Sequence, residues 1–204
     1  VLVKDGPYID GTPGVVSHGS TANFGNGKAG DPNWHTESKY NGRTYDYQYL
    51  ESLLPEEVKT NWTEVSGSIP GSTFTSGGVP YNGYYYYHVD EAAGDLTITS
   101  DVALGIRKVV LLVDGVDLKL NAKVNLNDGQ GFFMAIVGKN TTGGKGNIII
   151  DPAVTGAAGL EGLYLAESEF RTGTGANQLS VRGSVAANGR VLLQRDLGAA
   201  NDIT

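Results

Sequence analysis

From Asp95 to the end of the chain, short apolar segments alternate with turns rich in Gly, Asn and Asp. About ten such segments fall within about 100 residues, and no amphipathic helix separates them. Some, such as Val116, Leu118 and Leu120, show the period-two alternation that is typical of β-strands. Gly accounts for 30 of the 204 residues, about twice its usual share, and stands between these segments as turn punctuation. The chain is therefore predicted to be mainly β.

Two architectures fit many short strands, a β-sandwich and a β-solenoid of stacked coils. The strands are very brief, and dipeptides that favour hairpins are sparse, Asn188-Gly189 being the best case. A single coil cannot bury its own inner face, whereas stacked coils share one continuous core. We therefore expect a right-handed parallel β-helix, or β-solenoid, and keep the β-sandwich as the alternative.

The N-terminal part of the chain has a different character. Residues 1–44 are dominated by Gly, Ser, Thr, Asn and Asp, which predicts irregular loops. Apolar spacings of three and four predict a helix near 46–54, and Pro55 followed by two acids predicts a second helical turn near 55–61. We expect an N-terminal loop-and-helix cap over 1–90 and a solenoid body over 91–204. The two could equally form one continuous domain that is cut short at its C-terminus.

Composition excludes several partners and sites. The net charge of −7 argues against binding to nucleic acid, which needs clustered Lys and Arg. No apolar run approaches the roughly 20 residues of a membrane-spanning helix. The chain has no Cys, so disulfides, thiolate nucleophiles and Cys-ligated metals are all excluded.

Aromatic residues are concentrated before the expected solenoid. Exposed Tyr and Trp rings can stack on sugars and on protein partners, so this cluster is the best candidate for ligand binding. The alternative is that the rings cap the open end of the solenoid core. The candidate residues are Trp34, Trp62, Tyr81, Tyr84, Tyr85, Tyr86 and Tyr87.

Two turns rich in oxygen ligands are candidates for a calcium site. Calcium takes six to eight oxygen ligands, and turns with several Asp and Asn side chains can supply some of them. Neither turn has the spacing of an EF-hand, and turn formation alone explains the same residue types. The candidate ligands are Asp114, Asp117, Asn127 and Asp128, and we expect no other cofactor.

Known catalytic patterns are missing from the sequence. His18, His35 and His88 have no partner at metal-ligand spacing, and no nucleophile-elbow motif is present. Glu167 and Glu169 could share a strand face but also fit a solvated acidic edge. We therefore predict that the chain is not an enzyme.

Several segments together resemble the conserved tail of large uncharacterised surface proteins of uncultured candidate-phyla bacteria. The segments are Asp151-Pro152, 160–164, 170–175, 178–185 and 193–198, with 13–17 and 45–47 resembling the region upstream. The resemblance implies an exported, membrane-anchored or pilin-like protein with a β-helical body. It carries no known chemistry, so no catalytic residue can be transferred.

These observations lead to one expected function and two alternatives. We expect a non-catalytic structural or adhesion protein of the extracellular space or cell surface, with glycans or other surface proteins as partners. The first alternative is a carbohydrate-binding module that uses the Tyr and Trp cluster. The second and weaker alternative is a polysaccharide-active β-helix enzyme.

Overall fold

The computed structural model describes residues 16–18, 35–37, 45–140 and 144–196. The chain divides into two compact units, of which one comprises residues 1–44 and 196–204. The described part of this unit is a parallel pair of strands, β1 (Val16–His18) and β2 (His35–Glu37). The other unit, residues 45–195, contains the helices and the remaining strands.

The larger unit begins with two short α-helices, α1 (Tyr47–Ser52) and α2 (Glu56–Asn61), which confirm the expected helical period. The Asp46 carboxylate caps α1 by accepting a hydrogen bond from the Tyr49 N–H at 2.8 Å. Pro55 lies at the N-cap of α2 and not, as expected, at its first helical position. Within the described ranges, no helix has the length and apolarity needed to cross a membrane.

Fifteen further strands follow, with 3₁₀ turns at Gly71–Phe74 and Glu91–Ala93. The strands are β3 (Thr63–Glu64), β4 (Ser68–Ile69), β5 (Pro80–Tyr81), β6 (Tyr84–Val89), β7 (Leu96–Ile98), β8 (Val102–Ala103), β9 (Lys108–Val113), β10 (Leu118–Leu120), β11 (Val124–Asn125), β12 (Phe132–Val137), β13 (Ile148–Ile150), β14 (Gly156–Ala166), β15 (Glu169–Arg171), β16 (Leu179–Ala187) and β17 (Arg190–Leu192).

The strands stack as a β-solenoid of about five turns. One sheet has the order β4-β7-β10-β13-β15-β17, and all of its pairs are parallel. The other sheet contains nine strands, seven of them in the order β3-β6-β9-β12-β14-β11-β8, with β5 paired to β6 and β16 paired to β14. The long strand β14 pairs with β11 through its first half and with β12 through its second. Among the described strands, only β5 and β6 pair antiparallel. Parallel stacking confirms the solenoid and excludes the β-sandwich.

The apolar core is formed by residues that occupy equivalent positions on successive rungs. Leu96, Leu118, Ile148 and Phe170 occupy the same position on successive rungs and are all buried. Side chains alternate between the two faces of a strand, so each rung contributes every second residue to this inner face. Full burial of such a side chain stabilises the fold by about 1.5–3 kcal/mol, and each rung obtains that burial from its neighbours.

A column of polar residues, which we call the polar ladder, runs beside the apolar core. Asp95, Asp117 and Asn147 stand immediately before β7, β10 and β13, and Glu169 begins β15. The carboxylate of Asp95 accepts a hydrogen bond from the Asp117 N–H at 3.2 Å, and Asp117 accepts one from the Asn147 N–H at 2.9 Å. The Asn147 side-chain oxygen accepts one in turn from the Glu169 N–H at 3.2 Å. Asp95, Asp117 and Asn147 thus each satisfy a backbone donor on the following rung.

The N-terminal end of the polar ladder is held by two lysines. Lys119 and Lys145 approach the two oxygens of the Asp95 carboxylate at 2.9 and 2.6 Å. Burial would raise the pKa of Asp95, but the hydrogen bonds from Lys145 and Lys119 outweigh it and lower the pKa to about 2. The carboxylate is therefore ionised at neutral pH.

A second, smaller apolar cluster lies on the outer face of the β6-β9-β12 sheet. Tyr47, Leu50 and Leu54, from α1 and the turn after it, pack there against a group that includes Val110 and Leu112. The continuous apolar run from Val109 to Val113 is the sequence signal that this strand is buried on both sides. The helix therefore covers a sheet face and does not close the end of the solenoid.

Two Asn-Gly dipeptides adopt different structures. Asn82 and Gly83, with φ values of 50° and 81°, form the tight turn of the β5-β6 hairpin, the structure that an Asn-Gly pair favours. Asn188 and Gly189, the best hairpin candidate of the C-terminal half, instead turn a corner between β16 and β17, which belong to different sheets. Their N–H groups donate to Ala166 and Ser168 on the preceding rung, so rung stacking overrides the local hairpin preference.

Candidate functional site

The tyrosine run of β6 divides between the two faces of its strand. Tyr85 and Tyr87 point into the solenoid, where Tyr87 is 1% exposed and Tyr85 packs at the edge of the main core. Tyr84 and Tyr86 point outward and pack against the smaller apolar cluster. This two-and-two division follows from strand pleating.

The inward tyrosines help to close the N-terminal end of the core. The Tyr87 ring meets the Phe74 ring edge-on at 4.9 Å, and Phe74 is completely buried. The Tyr87 hydroxyl donates to the Thr73 carbonyl at 3.1 Å, which ties the strand to the 3₁₀ turn of Phe74. The Arg107 guanidinium lies 3.2 Å from the centre of the Tyr85 ring. These contacts give Tyr85 and Tyr87 a structural role.

Trp62 belongs to a stacked polar cluster beside β6. Its ring lies parallel to that of His88, with centroids 4.0 Å apart and an interplanar angle of 10°. The Trp62 indole N–H donates to Glu64 Oε1 at 2.7 Å, and His88 Nδ1 lies 3.0 Å from both carboxylate oxygens of Glu64. One carboxylate therefore holds both rings in place, with the indole as a fixed donor.

A small surface cleft lies next to this cluster. Trp62, Tyr81 and Tyr86 supply aromatic lining, and Glu57 and Asn61 of α2 supply polar groups. Burial raises the pKa of the Tyr86 phenol, and the neighbouring Tyr84 and Tyr81 raise it further. The Tyr86 phenol therefore remains a protonated donor near neutral pH. Aromatic walls beside a carboxylate and an amide match the flat faces and hydroxyl rims of sugar rings.

The structure brings together three of the seven aromatic candidates. Trp62, Tyr81 and Tyr86 share the cleft, whereas Tyr84 stacks edge-on with Phe132 at 5.6 Å and Tyr85 and Tyr87 point inward. The remaining candidate, Trp34, lies outside the described residues.

Sequence reasoning missed the polar side of the cleft. Glu57 and Asn61 lie four residues apart on one turn of α2, a spacing that places both on one face of a helix. That spacing was the available signal. Glu64 and His88 stand on neighbouring parallel strands, and no local pattern in the sequence joins them.

Two of the calcium candidates have well-defined surroundings. Asp117 is buried, and its Oδ1 accepts hydrogen bonds from the Gly146 N–H, the Asn147 N–H and the Asn147 side-chain amide at 2.9 to 3.0 Å. Burial raises the pKa of the Asp114 carboxyl, with His88 opposing the rise and Glu51 adding to it. Because Asp117 Oδ1 already accepts three hydrogen bonds, it has little lone-pair capacity left for a cation.

The other two calcium candidates form a tight turn. Asn127 and Asp128 both have positive φ values, 51° and 53°, and the Asn127 amide donates to Gln130 at 3.1 Å. Across the described part of the chain, no group of three or more His, Asp or Glu side chains gathers in a way that could hold a metal ion. Calcium binding by this set stays a prediction.

Glu167 and Glu169, the acidic pair noted in the sequence, and the nearby Glu161 are all engaged in contacts within the fold, Glu169 with Arg171 and Arg190. Glu161 is buried, accepts from the Leu126 N–H at 2.6 Å and pairs with Arg182 at 3.1 Å. Glu167 accepts hydrogen bonds from the N–H groups of Tyr47 and Lys139 and so fastens α1 to the solenoid. Their oxygens satisfy backbone donors in the same way as the polar ladder does.

Comparison with known proteins adds no relative. No family model matches the chain, and the searches found no matching curated protein and no matching solved structure.

Proposed function

We propose that the chain is a non-catalytic structural or adhesive rod of an exported or cell-surface protein. The supporting observation is the use of its acidic side chains, which hold successive rungs in register. Asp95, Asp117 and Glu161 each accept a backbone N–H from another rung. A carboxylate acting as general base or nucleophile must instead present an oxygen to substrate.

A stack of parallel rungs suits a mechanical spacer. Every rung is hydrogen-bonded to its neighbours along two sheets, and inner positions of the middle rungs are fully buried. An acidic surface favours solubility, and a chain without Cys obtains its stability from the core and the ladders alone. The resemblance to exported surface proteins supports the same location.

The experiment that tests this role has two arms. Antibody raised against the chain should label intact cells of the source organism as strongly as permeabilised cells, and labelling that requires permeabilisation contradicts the location. Purified chain should leave acidic and neutral polysaccharides undegraded. Turnover that Glu161→Gln abolishes and Glu57→Gln preserves would overturn the non-catalytic assignment.

A second candidate function is carbohydrate binding at the cleft between α2 and the β5-β6 hairpin. The observation that favours it is the approach of Trp62, Tyr81 and Tyr86 to the side chains of Glu57 and Asn61. Aromatic stacking would supply affinity, and the carboxylate and amide would orient ring hydroxyls.

A glycan array tests this candidate with a matched pair of variants. Tyr81→Ala removes a cleft wall, whereas Tyr45→Ala removes a 56% exposed tyrosine that does not line the cleft. Glycan binding should fall at least about tenfold in Tyr81→Ala and stay unchanged in Tyr45→Ala. Absence of binding, or equal loss in both variants, would count against the candidate.

A further inference from the structure

The two Asn-Gly pairs of the described residues place the nitrogen that follows the asparagine in very different surroundings. Asn-Gly is the sequence in which a backbone nitrogen most readily attacks the preceding side-chain amide, because glycine has no side chain to hinder the approach. Two further pairs, at 26–27 and 41–42, lie outside the described residues. Asn82-Gly83 and Asn188-Gly189 therefore offer a comparison of one chemistry in two settings.

The Gly83 nitrogen is accessible and unengaged. Gly83 and Asn82 form the exposed tip of the β5-β6 hairpin, and a methyl group added at the Gly83 Cα would meet no atom within 4 Å. Within the described part of the chain, neither the Gly83 N–H nor the Asn82 side-chain amide makes a hydrogen bond. Strand β5 has two residues and lies off the main strand order of its sheet, so this turn can open locally while the rungs stay stacked.

The Gly189 nitrogen is held by the preceding rung. Its N–H donates to the Ser168 carbonyl at 2.8 Å, and the Asn188 N–H donates to the Ala166 carbonyl at 3.0 Å. A methyl group added at the Gly189 Cα would lie 2.4 Å from the same Ser168 oxygen, so the two backbones are in close contact. This corner must therefore leave the stack before its nitrogen can react.

We propose that Asn82 is a site of spontaneous deamidation and that rung stacking protects Asn188 from the same reaction. The Gly83 nitrogen loses its proton to hydroxide and forms a bond to Cγ of Asn82. The bond from Cγ to the side-chain nitrogen then breaks, and that nitrogen takes up a proton from water and leaves as ammonia, which closes a succinimide ring. A water molecule opens the ring at either carbonyl and gives aspartate or isoaspartate. Water is the net co-reactant, and the reaction involves no oxidation or reduction.

The modification changes both the charge and the geometry of the hairpin. Either product replaces a neutral amide by a carboxylate that is ionised at neutral pH. Isoaspartate also routes the backbone through its own Cβ, which lengthens a tight turn whose geometry sets the pairing of Tyr81 with Tyr84. Because Tyr81 lines the cleft, the hairpin wall of the cleft should shift as the protein ages.

Peptide mapping by mass spectrometry, applied to the whole folded chain after timed incubation at mildly alkaline pH, tests the proposal. Asn82 should convert at least about tenfold faster than Asn188, because attack at Gly189 must be preceded by loss of its hydrogen bond to the stack. The rate at Asn82 should also rise with pH, since the attacking nitrogen must first lose its proton. Equal rates in the folded chain, faster conversion of Asn188, or no conversion of Asn82 would each overturn the proposal.

The same chain unfolded in urea is the matched control, because unfolding removes the contacts that distinguish the two pairs. The two asparagines should then react at similar rates, and a difference that persists in urea would contradict protection by stacking. Asn82→Asp removes the reacting amide but keeps a residue that tolerates positive φ. This variant should lose the rapid release of ammonia while conversion at Asn188 stays unchanged, and circular dichroism verifies that it is folded.

Discussion

The first and the last described rungs of the solenoid contain similar apolar residues but expose them very differently. On the first rungs, which we call the closed end, Phe74 and Tyr87 are 0% and 1% exposed. On the last described rung, which we call the open end, Val181 and Val191 are 37% and 43% exposed. The difference is one of neighbours, because burial of an inner side chain requires a rung or a cap on each side. Stability should therefore be concentrated at the closed end and in the middle of the stack.

The largest expected effect on stability comes from truncating Phe74, the side chain that fills the N-terminal end of the core. Phe74→Ala should lower the free energy of unfolding by about 3–5 kcal/mol, because it leaves a cavity against Tyr87 and Phe133. Leu193→Ala, at a 53% exposed position of the open end, should cost less than about 1 kcal/mol. Urea denaturation measures both, and equal losses would remove the contrast between the ends.

The polar ladder gives the next largest effect. Asp117→Ala should cost about 3 kcal/mol, because two backbone N–H groups and an amide lose their buried acceptor. Asp117→Asn keeps the accepting oxygen and should cost about 1 kcal/mol. At the open end of the same column, Arg190→Ala should change stability by less than about 1 kcal/mol. A small loss in Asp117→Ala would show that the ladder contributes little.

The same Val→Ala substitution at two equivalent positions, one on a middle rung and one on the last described rung, measures how much stability depends on covering by a neighbouring rung. Val124 and Val181 lie at equivalent positions on different rungs, and Val124 is fully buried. Val124→Ala should cost about 2 kcal/mol, and Val181→Ala about 0.5 kcal/mol. Thermal unfolding of the two variants makes the comparison, and a larger loss at Val181 would contradict the open end.

The smallest expected effect is a pH dependence from Asp95. Its pKa is lowered from 3.8 to about 2 in the folded chain, so its contribution to stability is present above pH 3.8 and is lost as the pH falls towards 2. Solvent screening limits that contribution to about 1 kcal/mol or less. Unfolding of Asp95→Asn and the parent should therefore differ at pH 6 and converge near pH 2. Lys145→Met should reduce the difference, and a difference that persists at pH 2 would be inconsistent with this origin.

Much of the strand pattern could be predicted, but the rung period could not. Strand identity is local, and the apolar runs at β6, β9 and β12 were visible because alternation and β-branched residues signal extended structure. Successive residues of the polar ladder are separated by 22, 30 and 22 residues. The longer rung between Asp117 and Asn147 hides the repeat in the sequence. Asp117 was therefore recognised only as a turn residue and candidate calcium ligand, and Asp95 gave no signal of its role.

The candidate site could be predicted only in part, because its geometry also depends on pairing between strands that are distant in the sequence. Pleating implies that two of four consecutive tyrosines point inward, but the sequence does not say which two. The choice depends on the register between β6 and β9, which places Tyr85 and Tyr87 beside the inward residues Val109 and Leu111. The approach of Trp62 to His88 depends on the parallel pairing of β3 with β6. Both are long-range contacts, which local pattern does not specify.

Engineered disulfides between outward residues test rung stacking most directly. Lys119 and Ile149 are register partners on adjacent parallel strands, and Arg171 occupies the same position one rung further on. Strands in a sheet are about 4.8 Å apart, so Lys119→Cys with Ile149→Cys lies within disulfide reach. Lys119→Cys with Arg171→Cys, two rungs apart at about 10 Å, lies beyond it. Parallel rungs predict oxidation of the first pair and not of the second. Cross-linking of the second pair, or failure of the first in folded protein, would contradict the solenoid register.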